Sequence, residues 1–320
     1  MNPLSHTPWL VVSAALAGCS GQVLDVGSTG QALTQGDGGQ SDPQTIANLA
    51  SAPLRMASDG TSLYWTEQTS EALTGMPVQG GPKTTVAASC SLLFLAVDST
   101  SVYFVRDFQL YAAPKNAAGA LSISDGSGSV TAAAVHGTNA FWAETPNQEP
   151  RVVAVKSASL TDKVASIVGQ LFATPAPPLQ MTATTGLVFL ADPRPLTAFS
   201  LGSGAPDGGP PQTLGSSFCG ILLSDDGAAY CVPPGGPVTR TGDDGNTTTL
   251  TTVSSGTAAA LDATYLYFGD KPASGGLLLK IPKLGGTATV IAHEEATALA
   301  VDDTAIYWAT PKGYIRRLLK

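Results

Sequence analysis

One aspartate recurs through the chain in the same local setting, a tight turn between two short apolar runs. Its copies are Asp59, Asp98, Asp225, Asp262 and Asp302. Carboxylates repeated in this way could line a channel and act on a ligand there. An aspartate in a tight turn also accepts hydrogen bonds from nearby backbone amides, and a residue that recurs once per repeat is typical of that structural role. His136 and Thr184 replace it in two further copies without disturbing the pattern, so we interpret the column as structural.

The sequence has few histidines and none of the common catalytic motifs. The three histidines are His6, His136 and His293, which nearly excludes sites built from several imidazoles. His293 precedes Glu294 and Glu295 and could join a divalent cation site, but we interpret these residues as a solvated loop. The chain has no Cys-x-x-Cys, Gly-x-Ser-x-Gly or phosphate-binding glycine loop. We therefore assign no catalytic, metal or cofactor-binding residue and expect no cofactor.

Three of the four cysteines lie within the repeated part of the chain. Cys219 and Cys231 flank the turn at Asp225, so they should lie opposite or nearly opposite each other on a hairpin. A disulfide in an oxidising compartment and two buried free thiols are both open readings. We interpret Cys90 as a buried strand residue.

The turn aspartates belong to a longer repeated unit. Its first copy, residues 55–67, reads RMASDGTSLYWTE: an apolar run, an Asp-Gly turn and a second strand. An aromatic marker recurs about every forty residues, as Tyr64, Tyr103, Phe141, Phe189, Tyr230, Tyr267 and Tyr307. Strand units with this period are typical of β-propeller blades, because a lone blade cannot bury its faces until neighbours stack against it. The sequence predicts an all-β, seven-bladed propeller of four-stranded blades.

The last copy lacks a fourth strand, since the chain ends at Lys320. The segment 44–50, QTIANLA, matches the fourth-strand pattern of the other copies. We therefore expect the first ordered strand to complete the last blade, which would join the two ends of the ring by backbone hydrogen bonds. The predicted propeller domain spans residues 44–320.

The composition agrees with a large β domain. The chain has 43% hydrophobic and 12% charged residues, with 35 glycines and 23 prolines, as many tight turns require. Its net charge is −8 and it has no basic stripe, so we exclude nucleic acid as a partner. The aromatic columns alternate with small apolar residues, which indicates packing between blades rather than a carbohydrate-stacking surface.

The amino terminus has the outline of an export signal. An apolar run, residues 9–17, ends in Leu16-Ala17-Gly18-Cys19, which resembles a bacterial lipobox. The resemblance implies a lipoprotein signal peptide over residues 1–18 and acyl chains on Cys19. Residues 19–43 then form a flexible tether, because glycine, glutamine, serine and threonine dominate them. Ser20 after the cysteine implies the outer membrane of a Gram-negative cell envelope.

The second strand resembles the YWTD repeat of low-density-lipoprotein-receptor-type propellers. The resemblance rests on SLYWTE at residues 62–67 and AIYWAT at residues 305–310, and it extends over residues 44–320 as a pattern. It departs from the family in having seven copies instead of six. The motif's acidic residue survives only as Glu67, Glu144, Asp192 and Asp270. Similar repeats occur in bacterial surface lipoproteins, and receptor-type propellers bind protein ligands.

Two functions from different classes follow. The first is a monomeric, lipid-anchored envelope propeller that binds a protein or glycan at one mouth of its ring. The alternative is a propeller enzyme, a metal-assisted hydrolase or lyase with a site at the central channel. Seven-bladed lyases of cyclic peptide antibiotics use a histidine base with Mg²⁺, and this chain has few histidines. We therefore favour the binding module.

Overall fold

A computed structural model describes residues 10–12, 42–67, 69, 71–88, 90–116, 119–146, 152–171, 180–191, 195–201 and 211–320. Within these ranges the chain forms strands and turns, without a helix. No helix long and apolar enough to cross a bilayer occurs in the described ranges. Of the predicted tether, residues 19–41 lie outside the described residues. The predicted domain boundaries at residues 18 and 43 stay predictions.

The strands of the first part of the chain are β1 (Leu10–Val12), β2 (Gln44–Asn48), β3 (Arg55–Ser58), β4 (Ser62–Thr66), β5 (Leu73–Pro77), β6 (Thr84–Ala87), β7 (Cys90–Val97), β8 (Ser101–Arg106), β9 (Gln109–Pro114), β10 (Leu121–Ser122), β11 (Gly128–His136), β12 (Asn139–Pro146), β13 (Val153–Ser159) and β14 (Ala165–Leu171). Those of the second part are β15 (Gln180–Ala183), β16 (Leu187–Ala191), β17 (Pro195–Ser200), β18 (Gln212–Phe218), β19 (Ile221–Ser224), β20 (Ala228–Val232), β21 (Gly236–Gly242), β22 (Thr247–Val253), β23 (Gly256–Leu261), β24 (Tyr265–Asp270), β25 (Leu277–Pro282), β26 (Thr289–Ala292), β27 (Ala298–Val301), β28 (Ala305–Ala309) and β29 (Tyr314–Leu319).

These strands form seven antiparallel sheets, the blades of a propeller. Blades 1 to 6 each take four consecutive strands, beginning with β3, β7, β11, β15, β19 and β23, and blade 7 contains β27, β28, β29 and β2. The first strands are innermost, and each contacts the first strand of the next blade until β27 meets β3. The predicted seven-bladed propeller of four-stranded blades is confirmed.

The ring closes through its amino-terminal strand. Strand β2 pairs antiparallel with β29, with Thr45 opposite Arg316 and Asn48 opposite Tyr314. The pairing continues beyond the strand, since the Leu49 N–H donates to the Gly313 carbonyl at 2.9 Å. The predicted completion of the last blade by residues 44–50 is therefore confirmed, with the strand itself ending at Asn48.

A separate short strand, β1, pairs antiparallel with the innermost strand of blade 2, with Leu10 opposite Val97. This strand lies within the segment that the sequence assigns to the signal peptide. The prolines Pro175, Pro177 and Pro178 predict an inserted loop between blades 3 and 4, and this segment lies outside the described residues.

The core consists of seven apolar clusters, one between each pair of adjacent blades. Neighbouring residues of the second strand point to opposite faces, as a strand requires. In blade 1, Tyr64 therefore packs toward blade 2, while Trp65 packs toward blade 7 beside Tyr307. The same division repeats around the ring, so the two aromatic columns pack between blades as the sequence predicts.

Candidate functional site

The recurring aspartate fixes the turn between the first and second strands of its blade, called the a–b turn below. In blade 6, Oδ1 of Asp262 accepts the backbone N–H groups of Thr264 and Tyr265, both at 2.7 Å. Its Oδ2 accepts the Tyr267 hydroxyl, also at 2.7 Å. The full arrangement recurs at Asp59, Asp98 and Asp225, and Asp302 keeps the two backbone bonds. The structural interpretation of this column agrees with these contacts.

The identity of the aromatic marker follows that of the turn residue five positions earlier. Every blade with an aspartate in the turn has tyrosine at the marker. The two blades with His136 or Thr184 in the turn have Phe141 or Phe189, which lack the hydroxyl. This correlation was available in the sequence, but reading the two columns separately missed it.

Lysines join three of these turns to the next blade. Each lysine is the first residue after the third strand of its blade, and its ammonium group binds the turn aspartate of the preceding blade. The pairs are Lys115 with Asp59, Lys283 with Asp225 at 2.8 Å, and Lys320 with Asp262 at 2.7 Å. Sequence reasoning missed these contacts because they join different repeats.

The other blades have a different residue at the position of the lysine. Between blades 4 and 5 the roles are exchanged, since the Thr184 hydroxyl donates to Asp243, which occupies the lysine position, at 2.6 Å. Blades 3 and 1 have Leu160 and Val78 at that position. Among the described residues, the carboxylates of Asp98 and Asp302 consequently receive no lysine, although Lys115 also donates to the Asp98 backbone carbonyl.

Hydrogen bonds and lysines decide the charge state of the turn carboxyls. Burial alone would raise the pKa of Asp262, but Lys320 and the backbone N–H groups of Tyr265 and Thr264 outweigh it and lower the pKa below its ordinary value. Asp59 and Asp225 behave in the same way. Burial and the adjacent carboxylate raise the pKa of Tyr267, which therefore stays a hydrogen-bond donor.

The a–b turns of blades 1, 2, 6 and 7 enclose a cavity of about 430 Å³ at one end of the ring, called the mouth below. Five aspartates line it: Asp59, Asp98, Asp262, Asp302 and Asp303. The exposed residues at its rim are small, among them Gly60, Ser99 and Ala263. In the described part of the chain, no three histidine, cysteine or carboxylate side chains are placed to hold a metal ion.

The two histidines outside the signal region have different surroundings. His136 Nε2 lies 3.7 Å from Asp226 Oδ1, in the a–b turn of blade 5. Burial lowers the pKa of His136 despite the nearby carboxylates, so its imidazole is neutral at neutral pH. His293 is exposed, and its neighbours are engaged elsewhere, Glu294 with Arg316 at 3.1 Å and Glu295 with Lys271 at 2.9 Å. The solvated-loop interpretation of this segment agrees with those pairs.

A buried ionic cluster lies away from the a–b turns, where the second strand of blade 3 ends. Lys156 Nζ lies 2.8 Å from Asp125 and 2.7 Å from Glu144, and the Trp142 indole donates to Glu144 at 3.0 Å. Burial lowers the pKa of Lys156, but the two carboxylates outweigh it and raise it. The amine is therefore held as an ammonium ion, which suits a structural role and not a nucleophile.

A second cavity, of about 600 Å³, separates the outer parts of blades 1 and 2. It is open because Gly75 faces the Tyr64 ring, where an added Cβ would lie 3.1 Å from a ring carbon. Blades 5 to 7 carry Arg240, Lys280 and Arg317 at the matching position. Of the described residues that line this cavity, only Lys115 is charged, and that group is bound to Asp59.

Of the cysteines, Cys219 and Cys231 are brought together between blades 4 and 5. The structure pairs them as a disulfide with a Cα–Cα distance of 5.5 Å. Cys90 begins the inner strand of blade 2, and Cys19 lies outside the described residues.

No protein-family model matches this chain, and no curated protein matches it. Many solved structures share its fold. The WD40 propeller domain of Doa1 is similar at 12% identity and a TM-score of 0.63, over 87% of this chain and 97% of that one. A catalytically inactive virginiamycin B lyase from Staphylococcus aureus, solved with quinupristin, is similar at 13% identity and a TM-score of 0.63, over 87% and 99%. A computationally designed protein, Ika8, is similar at 11% identity and 0.56, over 86% and 98%.

Proposed function

We propose that this chain is a lipid-anchored envelope propeller that binds a partner protein or glycan at the mouth. The observation that carries the proposal is the cavity of about 430 Å³ formed by turns of four blades. Each turn is fixed by its own aspartate, so the rim is rigid, and small exposed residues leave the cavity accessible. Turns that converge on a rigid scaffold are a common place for recognition.

The chemistry of the mouth supports binding over catalysis. In each turn aspartate, Oδ1 accepts hydrogen bonds from two backbone N–H groups. At most one carboxylate oxygen therefore remains to contact a ligand or a substrate. The pKa of Asp302 is lowered, since Thr304 and Ser58 outweigh the effect of burial. A carboxylate that stays ionised is a poor proton donor at neutral pH.

The proposed anchor is Cys19, in the lipobox-like segment Leu16-Ala17-Gly18-Cys19. We infer that the tether reaches the ring on the mouth side. Gln44 pairs with Arg317, near the end of β29, and Lys320 beyond that end donates its N–H to the a–b turn residue Thr304. A chain of some two dozen residues gives a mean reach of roughly 25–30 Å.

Site-specific photo-crosslinking in the native cells tests the mouth. A photoreactive residue at Ala263 should give a discrete adduct, because this rim position faces the cavity. Thr249 on the outer strand of blade 5 is an exposed control outside the mouth and should not give that adduct. The same adducts from both positions, or none from Ala263, would contradict the proposal.

The anchor has its own test. Replacing Cys19 by alanine should move the protein from the membrane fraction to the soluble envelope fraction, because the acylated residue is lost. Cys90→Ala is the matched control and should stay with the membrane. Equal partition of both variants would refute the anchor.

One observation favours the alternative enzyme. His136, as a neutral imidazole 3.7 Å from Asp226, could act as a general base at the channel end. The fold likeness to the virginiamycin B lyase supplies no residue correspondence at 13% identity. If the chain is a lyase or hydrolase, His136→Ala should abolish activity on a cyclic peptide antibiotic. Absence of that activity from the unaltered protein would remove this alternative.

A further inference from the structure

We propose that the mouth recognises lysine side chains of its partner, through the two turn aspartates whose carboxylates bind no internal lysine, Asp98 and Asp302. This rests on the proposed function, that the mouth is a binding surface, and adds the chemistry of the partner. The residues of this chain itself show how an ammonium group is received.

The internal lysines define the recognition geometry. Lys320 Nζ lies 2.7 Å from Asp262 Oδ2 and 5.6 Å from the centre of the Tyr267 ring. Lys115 binds Asp59 in the same way and lies 5.7 Å from the Tyr64 ring. A carboxylate oxygen and an aromatic face therefore receive one ammonium group in each of these units.

The same units exist without a lysine in blades 2 and 7. Asp98 keeps its bonds to the turn and accepts the Tyr103 hydroxyl at 2.5 Å. Asp302 accepts the Ser58 hydroxyl at 2.8 Å. Both aspartates line the mouth, so a side chain that enters the cavity can reach them.

Tyr307 is an independent sign of an unfilled site in blade 7. Its side chain is fully buried, and among the described residues its hydroxyl has no hydrogen-bond partner of standard geometry. Burial, followed by the negative charge of Asp302, raises the pKa of Tyr307 to about 12. The hydroxyl has Asp302, Arg317 and Thr304 as its polar neighbours, and its oxygen can accept a hydrogen bond from an ammonium group that binds Asp302.

The charge and the shape of the units favour lysine over arginine. Lys115 and Lys320 neutralise two of the five lining aspartates, which leaves Asp98, Asp302 and Asp303 to attract a cation. Oδ1 of each turn aspartate is already bound by backbone N–H groups. A guanidinium group binds best to both oxygens of a carboxylate, whereas an ammonium group is a point charge that needs only one.

Titration of the full chain with three synthetic peptides tests the inference. The acetylated, amidated peptides have the sequence Gly-X-Gly-X-Gly with X as lysine, arginine or norleucine, and binding is followed by calorimetry. We expect the lysine peptide to bind most tightly and the norleucine peptide not at all. In the double variant Asp98→Asn with Asp302→Asn, affinity for lysine should fall about tenfold or more, as for loss of a charge-assisted hydrogen bond. Asp244→Asn, in an exposed turn outside the mouth, is the control for removing one turn carboxylate by the same type of substitution and should bind normally.

A second pair of variants keeps the test decisive if the asparagine variant is unstable. Leu160→Lys and Val78→Lys place an internal lysine at the position that Lys115, Lys283 and Lys320 occupy in other blades. Together they should preserve the fold, raise the melting temperature and abolish binding of the lysine peptide. Equal affinity for lysine and arginine peptides, or binding that survives both sets of changes, would overturn the inference. A partner adduct at Ala263 without lysine binding would leave the proposed function standing and refute this extension alone.

Discussion

The Tyr267 hydroxyl is buried and donates to Asp262, which also receives Lys320. In Tyr267→Phe the carboxylate keeps the lysine and the turn but loses this donor. We expect a loss of about 1–2 kcal/mol in the free energy of unfolding, measured by denaturant titration.

Tyr265→Phe on the same strand is the control, because it removes a hydroxyl from a half-buried ring and keeps the ring's contacts with Tyr267 and Lys280. It should change stability by less than about 0.5 kcal/mol. Equal effects of the two substitutions would show that the hydroxyl at position 267 contributes nothing specific.

The inter-blade lysines make stability depend on pH. Burial raises the pKa of Asp225, but Lys283 and the backbone N–H of Gly227 outweigh it and lower the pKa below its ordinary value. A carboxyl with a pKa lowered by folding adds stability above the unfolded pKa, about 3.9, and that stability is lost as pH falls through the folded pKa. Lys283→Met removes the ammonium, so the midpoint of acid unfolding should move to higher pH.

At pH 7 the Lys283→Met change should cost about 1–2 kcal/mol, because the pair is partly exposed. The control is Lys271→Met, which breaks a more exposed pair with Glu295. Acid titrations followed by tryptophan fluorescence compare them. Coincident acid transitions for both variants and the parent would argue against the inter-blade role of Lys283.

At this scale the sequence allowed the turn role of the aspartates to be predicted, because a turn is local. The lysine contacts could not be predicted from one repeat, since the partners belong to different blades and meet only when the ring is formed. Tyrosine occurs with aspartate, and phenylalanine occurs with His136 and Thr184. This correlation would have predicted the hydrogen bond from each marker tyrosine to its turn aspartate, but not the lysine contacts.

Strand β2 has only five residues, but it closes the ring and should therefore contribute strongly to stability. It supplies the outer strand of blade 7, where Arg316 Nη1 also donates to the Thr45 hydroxyl at 2.6 Å. A chain that starts at Ser51 should melt at a markedly lower temperature than one that starts at Asp42, because blade 7 would lose its outer ladder. Calorimetry measures both, and equal melting temperatures would contradict the closure.

The pairing of Cys219 with Cys231 leads to a thiol count. Both side chains are buried between blades 4 and 5. Cys231 occupies the position at which most other blades have an aromatic residue. Denatured, unreduced protein should therefore show one titratable thiol, from Cys90, besides any on Cys19. Three would mean that the two cysteines remain reduced.

Element positions were predictable because the aromatic and turn columns repeat at a strand-like spacing. The closing strand was predictable because the seventh copy was one strand short. The cavity between blades 1 and 2 was not, since it depends on Gly75 lying opposite Tyr64 in a neighbouring strand, and a pairing register is not visible in the repeat itself.

For the whole molecule, metal dependence separates the two functional readings. In the described residues no cluster is placed to hold a metal ion. Treatment with a chelator should leave the melting temperature unchanged, and elemental analysis of the purified protein should find no stoichiometric divalent metal. A metal found at one equivalent, with a lower melting temperature after its removal, would favour the enzyme.

The position of β2 also determines how the propeller responds to mechanical force applied at its amino terminus. Chain tension that arrives ahead of Gln44 enters the ring at its seam, on the side of the mouth. A pull directed away from that side runs along the axis of β2, whereas its hydrogen bonds to β29 lie across the axis. Such a load shears the four registered pairs together instead of peeling them one by one, so the closing strand resists extraction from the ring when the amino terminus is pulled in that direction.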